Sequence, residues 1–318
     1  MSQIQNKKTA VRYTIITPEQ EQRRIDNYLL SVLKGVPRTR IYQMLRRGEV
    51  RVNGGRIKQS YRLHRGDKVR IPPVTVTVTD TAKPAEPHNY LLERVRDSVI
   101  LENEDFLVLN KPSGIVVHSG SGRSFGVIEI LRHLRPAQQG LQLVHRLDQE
   151  TSGCLLIAKT LQCLKNLHRA LKAGDIEKHY IALLKGHLHA FAIDVDQPLR
   201  KNTLRSGERL VEISEQGKYA LSRFQVVREF QAASLVKVHL ETGRTHQIRV
   251  HAKHLQHPVA GDNKYGDKDF NKSIRQAGLK RLFLHASRLV LPASHGLQAL
   301  DIKAPLPADL AGFLDHYI

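Results

Sequence analysis

The sequence predicts an α+β protein in two parts: a small N-terminal α/β module of two helices plus a small sheet, joined to a larger domain built on a mixed, mainly antiparallel sheet. Three observations lead there. Basic residues crowd the N-terminal quarter, a stretch rich in Thr and Pro interrupts the chain after residue 73, and beyond it strand-like segments outnumber helical ones without alternating regularly with them. At 318 residues the chain can fold one full-sized domain with its own core plus one small accessory domain.

Ile25, Tyr28, Leu29, Val32 and Leu33 recur at helical spacing, so one face of a first helix belongs to a core. A second helix starts near Pro37, buries Ile41 and Leu45, and stops at Gly48, leaving Arg38, Arg40, Arg46 and Arg47 for solvent or phosphate. The segment 50–57 then alternates around Asn53-Gly54, the local signature of a β-hairpin, and a closing strand ends at Ile71. From Arg23 to Ile71 fourteen Lys and Arg face only Asp26, Glu49 and Asp67, a net charge of +11. That is over half of the chain's formal +20, a field that attracts a polyanion, and nucleic acid is the natural partner.

Residues 74–92 combine alternating Val and Thr with Pro84 and Pro87. The module is therefore assigned to residues 20–80, a linker to 81–92 and the larger domain to 93–318. In the larger domain Val99–Leu101, Phe106–Leu109 and Cys154–Ala158 read as strands. Leu161, Leu164, Leu167 and Leu171 give a helix capped by Thr160 and ended by Gly174. Tyr180–Leu184 is again strand-like, and Phe224–Val227 with Leu235–Leu240 suggest an antiparallel pair.

Composition narrows the function classes. Apolar residues make up 41 %, Trp is absent, and no apolar run approaches the roughly 18 residues of a membrane span, so no membrane role is expected. The basic N-terminus is followed by no apolar stretch, so no secretory leader is expected and the protein is placed in the cytoplasm. Cys154 and Cys163 offer neither a disulfide framework nor metal-ligand spacing, and are read as small buried hydrophobes.

Three polar segments stand between apolar strands: His145-Arg146-Leu147-Asp148-Gln149-Glu150-Thr151-Ser152-Gly153, Glu177-Lys178-His179-Tyr180, and Thr242-Gly243-Arg244-Thr245-His246-Gln247-Ile248-Arg249-Val250-His251. With the turn Lys111-Pro112-Ser113-Gly114 they resemble, in order and over the region from about 98 to 318, the motif set of the pseudouridine synthases that modify large-subunit ribosomal RNA. The basic module resembles the small RNA-binding module first described in a ribosomal small-subunit protein and attached to many RNA enzymes. Gln149, Glu150 and Cys154 depart from the family pattern, but they flank the motif and replace no catalytic atom.

The resemblance implies an isomerase, working without cofactor or metal and expected as a monomer, on a flipped-out uridine of 23S (large-subunit) ribosomal RNA. Such enzymes break the bond from ribose carbon 1′ to uracil nitrogen 1 and rejoin the base through carbon 5, with no atom gained or lost. A carboxylate near carbon 1′ suits that chemistry, as in retaining glycosidases. Asp148 matches the family's catalytic aspartate and Arg249 its cationic partner, which a carboxylate in a water-excluding pocket needs. Tyr180 matches the tyrosine that stacks on the target base, with a hydroxyl able to assist proton removal from carbon 5. Arg146, two residues before Asp148, alternates to the same side and is expected to hold the space left by the extruded nucleotide. RNA contacts are expected from Arg38, Arg40, Arg46, Arg47, Arg51, Lys111 and from Arg244, which falls at or before the start of a helix opened by Thr245.

Two other readings fit parts of the same sequence. A non-catalytic RNA-binding ribosome-assembly factor would need only the basic module and the fold. A metal-dependent RNA hydrolase would rest on His246, His251, His254 and His257, but Arg244, Arg249 and Lys253 crowd a dication there and no carboxylate follows until Asp262. RNA phosphate suits those histidines better.

Overall fold

The structure is a computed structural model and describes residues 4–33, 35–79, 86–119, 125–138, 140–203 and 209–317. The chain divides into two compact units, Met1–Glu86 and Pro87–Ile318. Among the basic residues of the first unit Lys34 lies outside the described residues, as do 81–85 of the stretch read as a linker.

In the first unit the order is β1 (Ile4–Lys8), β2 (Arg12–Ile15), α1 (Ile25–Val32), α2 (Arg38–Arg47), β3 (Arg51–Val52), β4 (Gly55–Arg56), β5 (Lys68–Ile71) and β6 (Thr75–Thr79). Helix α2 starts after Pro37 and ends on Gly48, whose φ of +69° is the left-handed C-cap that favours glycine. Strands β3 and β4 form the anticipated hairpin, with Asn53 at φ +51° and Gly54 at φ +80°, the two positive angles a type I′ turn needs. These strands join a four-stranded sheet of order β2-β5-β3-β4, and β1 pairs with β6 separately. Ile25, Tyr28, Leu29, Ile41, Met44 and Leu45 of the helices pack with Val52, Val69 and Ile71 of the sheet in one core.

The second unit runs α3 (Asn89–Arg96), β7 (Val99–Glu102), β8 (Phe106–Lys111), α4 (Val127–Leu134), β9 (Gln142–Leu143), β10 (Ser152–Ala158), α5 (Leu161–Ala173), β11 (Glu177–Lys185), β12 (Ala192–Asp196), β13 (Leu199–Thr203), β14 (Arg209–Ile213), β15 (Leu221–Phe230), β16 (Ala233–Leu240), α6 (Gln247–His254), α7 (Lys268–Gln276), β17 (Leu284–Leu291), β18 (Leu300–Lys303) and α8 (Ala308–His316). Its ten-stranded sheet has the order β12-β15-β16-β11-β17-β10-β8-β7, with β18 on β17 and β9 on β10. Every pairing is antiparallel except β10 with β17. Helix α3 begins inside the stretch that composition reads as linker, because Leu91, Leu92 and Val95 find a core to pack against.

Both faces of the central strands are covered. On β11, Ala182 and Leu184 enter the cluster built with α4 and α5, while Leu183 between them enters a second cluster with Phe270, Ile274, Leu310 and Phe313 of α7 and α8. This explains the unbroken apolar run Ile181–Leu184, since a strand buried on both sides loses the polar alternation of a half-exposed one. Thr160 accepts the N–H of Cys163 to cap α5, and Gly174 closes it at φ +85°. Cys154 and Cys163 are free and buried. No helix among the described residues is long and apolar enough to cross a membrane.

Candidate active site

The site is assembled by register. Ala286 of β17 pairs with Gly153 on one side and with Tyr180 on the other, so a single strand brings the segment ending at Gly153 alongside the strand carrying Tyr180. Gly153 has φ +112°, and a side chain there would meet Ala286 O at 2.2 Å; only glycine permits this approach. Asp148 lies just before β10, with Leu147 buried behind it and Arg146 exposed in front. Arg146, Asp148, Tyr180, Arg244, His246 and Arg249 line one pocket.

The loop after Asp148 is fastened to the Lys-Pro-Ser-Gly turn. Gly114 N–H donates to Gln149 O at 2.8 Å, Gln149 Nε2 donates back to Gly114 O at 2.9 Å, and Ser113 Oγ donates to Glu150 O at 2.7 Å. Lys111 corrects the expectation of an RNA contact. It is fully buried, and its ammonium donates to the carbonyls of Pro112, Ile115 and Gln149 at 2.8, 3.0 and 3.1 Å, so it clamps the loop from inside and presents nothing to phosphate. Burial, with a smaller contribution from Arg281, brings its pKa down to about 7.

Arg249, from α6, reaches Asp148 Oδ2 with Nη1 at 3.4 Å. Its stronger partner is Asp262, which it binds at two points, Nε to Oδ2 and Nη2 to Oδ1, both at 2.7 Å. Asp262 is fixed in turn by the N–H groups of Lys264 and Tyr265 at 2.8 and 2.9 Å. Burial opposes charge on both side chains, but the Asp262 bond and its charge outweigh it at Arg249, whose pKa is raised, and the Arg249 bond outweighs it at Asp262, whose pKa is lowered. A permanent guanidinium is thereby held beside Asp148. In the sequence Asp262 is marked only as the first acidic residue after Glu241 in a strongly basic segment; its pairing with Arg249 is set by the fold.

Tyr180 is 9 % exposed on β11, flanked by Val238 of β16 and Ala286 of β17. Burial first, then the charge of Asp148, raises its pKa, so its phenol stays protonated. A bulge between His179 and Tyr180, opposite Ser287, shifts the register at this position.

Helix α6 is opened by Gln247, not Thr245: His246 precedes it in the left-handed region at φ +54°, and the buried Gln247 side chain takes over the end of the loop. Its Oε1 accepts from Thr242 Oγ1 and Arg244 N at 2.7 and 2.9 Å, and its Nε2 donates to Leu221 O and Ser222 Oγ at 2.9 and 3.0 Å. The exposed Arg244 is aimed by an Nε bond to Tyr219 O at 2.9 Å. His251 and His257 are each engaged within the protein. His251 is fully buried between Ser222 and Gln197, at 3.0 Å from each, which removes it from any phosphate contact, and His257 binds Lys185 O at 2.8 Å. Among the described residues no three His, Cys, Asp or Glu are grouped to hold a metal ion.

In the first unit Arg38, Arg46 and Arg47 are exposed on α2, and Arg38 lies over the Tyr42 ring at 5.5 Å. Arg40 is paired with Glu49 at 2.8 Å, and Arg51 donates to the carbonyls of Gly48 and Gly54 at 3.4 and 3.3 Å.

One pocket thus gathers a single carboxylate, a guanidinium locked beside it and a buried tyrosine, and the first unit carries a strongly basic helix. The RNA pseudouridylate synthase family model matches residues 105–254 and the S4 domain model residues 23–69. The chain belongs to the RNA pseudouridylate synthase family. It is similar to ribosomal large subunit pseudouridine synthase C of Haemophilus influenzae, 50 % identical over 306 residues, covering 96 % of this chain and 95 % of that protein. The protein of that name from Pasteurella multocida is 48 % identical over 305 residues, covering 96 % and 93 %, and that from Escherichia coli (strain K12) is 46 % identical over 303, covering 95 % of each. Among solved structures, human RNA pseudouridylate synthase domain containing 4 superposes with a TM-score of 0.60 at 25 % identity, covering 72 % of this chain and 95 % of that one. Human RNA pseudouridylate synthase domain containing 1 gives 0.58 at 28 %, covering 72 % and 90 %.

Proposed function

We propose that the protein isomerises particular uridines of 23S (large-subunit) ribosomal RNA to pseudouridine, as a cytoplasmic monomer, with Asp148 as the nucleophile on a flipped-out nucleotide. The observation that carries this reading is the convergence of Asp148, Arg249 and Tyr180 from three separate segments on one pocket, with Arg249 Nη1 3.4 Å from Asp148 Oδ2.

In the proposed course Asp148 engages ribose carbon 1′ as the bond to nitrogen 1 breaks. Uracil leaves carrying the bonding electrons, turns in the pocket against Tyr180, and attacks carbon 1′ through carbon 5, displacing the Asp148 carboxylate. The Tyr180 hydroxyl then relays the carbon 5 proton, taking it up on oxygen as it passes its own proton on, and nitrogen 1 gains one, so atoms balance. Arg249 neutralises the carboxylate while water is excluded. Arg146 fills the gap left in the RNA, and Arg244 holds the backbone beside the pocket. The exposed Arg38, Arg46 and Arg47, with Arg40 and Arg51, bind phosphates in the first unit.

The test is to map pseudouridines in ribosomal RNA from cells with and without the gene. Specific large-subunit sites should disappear with the gene and return with the wild-type chain. An unchanged map would reject the assignment of substrate, and restored growth from an Asp148→Asn chain without restored pseudouridine would favour an assembly factor.

A further inference from the structure

His246 sits one residue before α6 at φ +54° and ψ +21°, a conformation that few residues other than glycine adopt and that asparagine and histidine tolerate better than most. There its ring enters the pocket of Asp148, with Nε2 3.8 Å from Asp148 Oδ2. Its other nitrogen, Nδ1, is 2.7 Å from the hydroxyl of Tyr265.

Hydrogen-bond accounting assigns the proton on this ring. Tyr265 Oη accepts the backbone N–H of Val211 at 3.0 Å, and Tyr265 is only 5 % exposed, so its own hydroxyl proton needs an acceptor within the protein. His246 Nδ1 is in place to accept it. The imidazole proton then lies on Nε2, facing Asp148. The Arg249 guanidinium lies 5.1 Å over the ring of the same tyrosine, so Tyr265 supports both groups that approach the carboxylate. Both approach one oxygen, Oδ2.

We propose that His246 is a positioning residue for Asp148: pinned by Tyr265 with its proton on Nε2, it donates toward Oδ2 and, with Arg249, turns the other carboxylate oxygen to the ribose. This rests on Asp148 being the nucleophile. The 3.8 Å separation is longer than a hydrogen bond and closes when RNA seals the pocket, as catalytic contacts commonly tighten on binding. Burial, aided by Arg249 and Lys264 and opposed by Asp148 and Asp262, lowers the pKa of His246, so the donor is a neutral dipole rather than a second full charge.

Asparagine and glutamine separate the two ends of the ring. His246→Asn keeps an oxygen near the Nδ1 position for Tyr265 and tolerates the left-handed backbone, but has no donor facing Asp148. His246→Gln reaches further and puts an amide N–H near the Nε2 position. The measurement is single-turnover tritium release from a large-subunit rRNA transcript carrying 5-tritiated uridine, with RNA affinity measured alongside, on the full-length protein. His246→Asn should slow release about 10- to 100-fold, the scale of losing a hydrogen bond to a charged group, with affinity unchanged. His246→Gln should recover most of the rate, and Tyr265→Phe should fall between. A wild-type rate for His246→Asn, equal losses in Asn and Gln, or a loss in affinity alone would each overturn the proposal. Nitrogen-15 NMR of His246 gives a readout independent of turnover: protonation on Nε2 is expected, and protonation on Nδ1 contradicts it. Asp148→Asn distinguishes the two possible failures. If that variant stays active, the reading of the pocket itself is wrong; if it is inactive while His246→Asn is unaffected, only the role of His246 is wrong.

Discussion

Arg249 and Asp262 form a two-point ion pair, Nε to Oδ2 and Nη2 to Oδ1, both at 2.7 Å, with Asp262 itself fully enclosed. Because Arg249 touches Asp148 at only 3.4 Å and by one nitrogen, Asp262 and not Asp148 determines where the guanidinium sits. Asp148 is thus left oriented but not consumed in a tight salt bridge, as the nucleophilic role proposed for it requires.

Removing Asp262 should therefore cost both stability and activity. Asp262→Ala leaves a buried guanidinium without its partner, a change that destabilises by about 3–5 kcal/mol, and frees Arg249 to close on Asp148. Urea unfolding and tritium release on the same variant check the two effects. Stability within about 0.5 kcal/mol of wild type, the range of a neutral surface change, would contradict the structural role given to this pair.

Acid should destabilise the fold through His285. Its Nε2 donates to Ala304 O at 3.1 Å and its Nδ1 accepts from Ser152 Oγ at 2.9 Å, while Arg281 donates to the same Ser152 Oγ at 2.6 Å. Burial brings its pKa down from 6.5 to about 4. The unfolded chain then binds the proton first, so this stability is fully present above pH 6.5 and is lost as pH falls from 6.5 toward 4, by about 2 kcal/mol at pH 5. Urea unfolding at pH 7.5 and pH 5 should show His285→Asn losing less on acidification than wild type by about that amount. Parallel losses in the two proteins would show that His285 is not the titrating group.

Salt should report on the first unit. Arg46 and Arg47 are exposed in the last turn of α2, whose other face is core, so they are available to phosphate without unfolding anything. Deleting residues 1–86 should weaken RNA binding and make log Kd less steep against log salt, by about 0.7 to 0.9 for each phosphate contact removed. An unchanged slope in a binding titration would place the phosphate contacts in the second unit.

Much of this was legible locally. The Asn53-Gly54 hairpin, the Gly48 stop of α2 and the Thr160 and Gly174 ends of α5 follow from residues that satisfy backbone geometry within one turn, and the structure has them all. The segments around Asp148, Tyr180 and Arg249 stood out as polar runs between apolar strands, and the fold brings them to one pocket. What escaped the sequence depends on partners far along the chain. Lys111 reads as a surface cation until three carbonyls enclose it, one of them from Gln149, 38 residues away. Thr245 looks like a helix cap because nothing local reveals that His246 turns left-handed and Gln247 ties the loop to β15. The parallel pairing of β10 with β17, on which the meeting of Gly153 and Tyr180 at Ala286 depends, joins strands more than 120 residues apart.

The most direct test of the central claim is tritium release from 5-tritiated uridine in a large-subunit rRNA transcript by the full-length protein and by Asp148→Asn. Asn preserves the size and most hydrogen bonding of the side chain while removing the nucleophilic oxygen charge, so RNA affinity should persist. Release should be complete with the wild-type chain and absent with the variant. Full release by Asp148→Asn would contradict the assignment of Asp148 as the nucleophile.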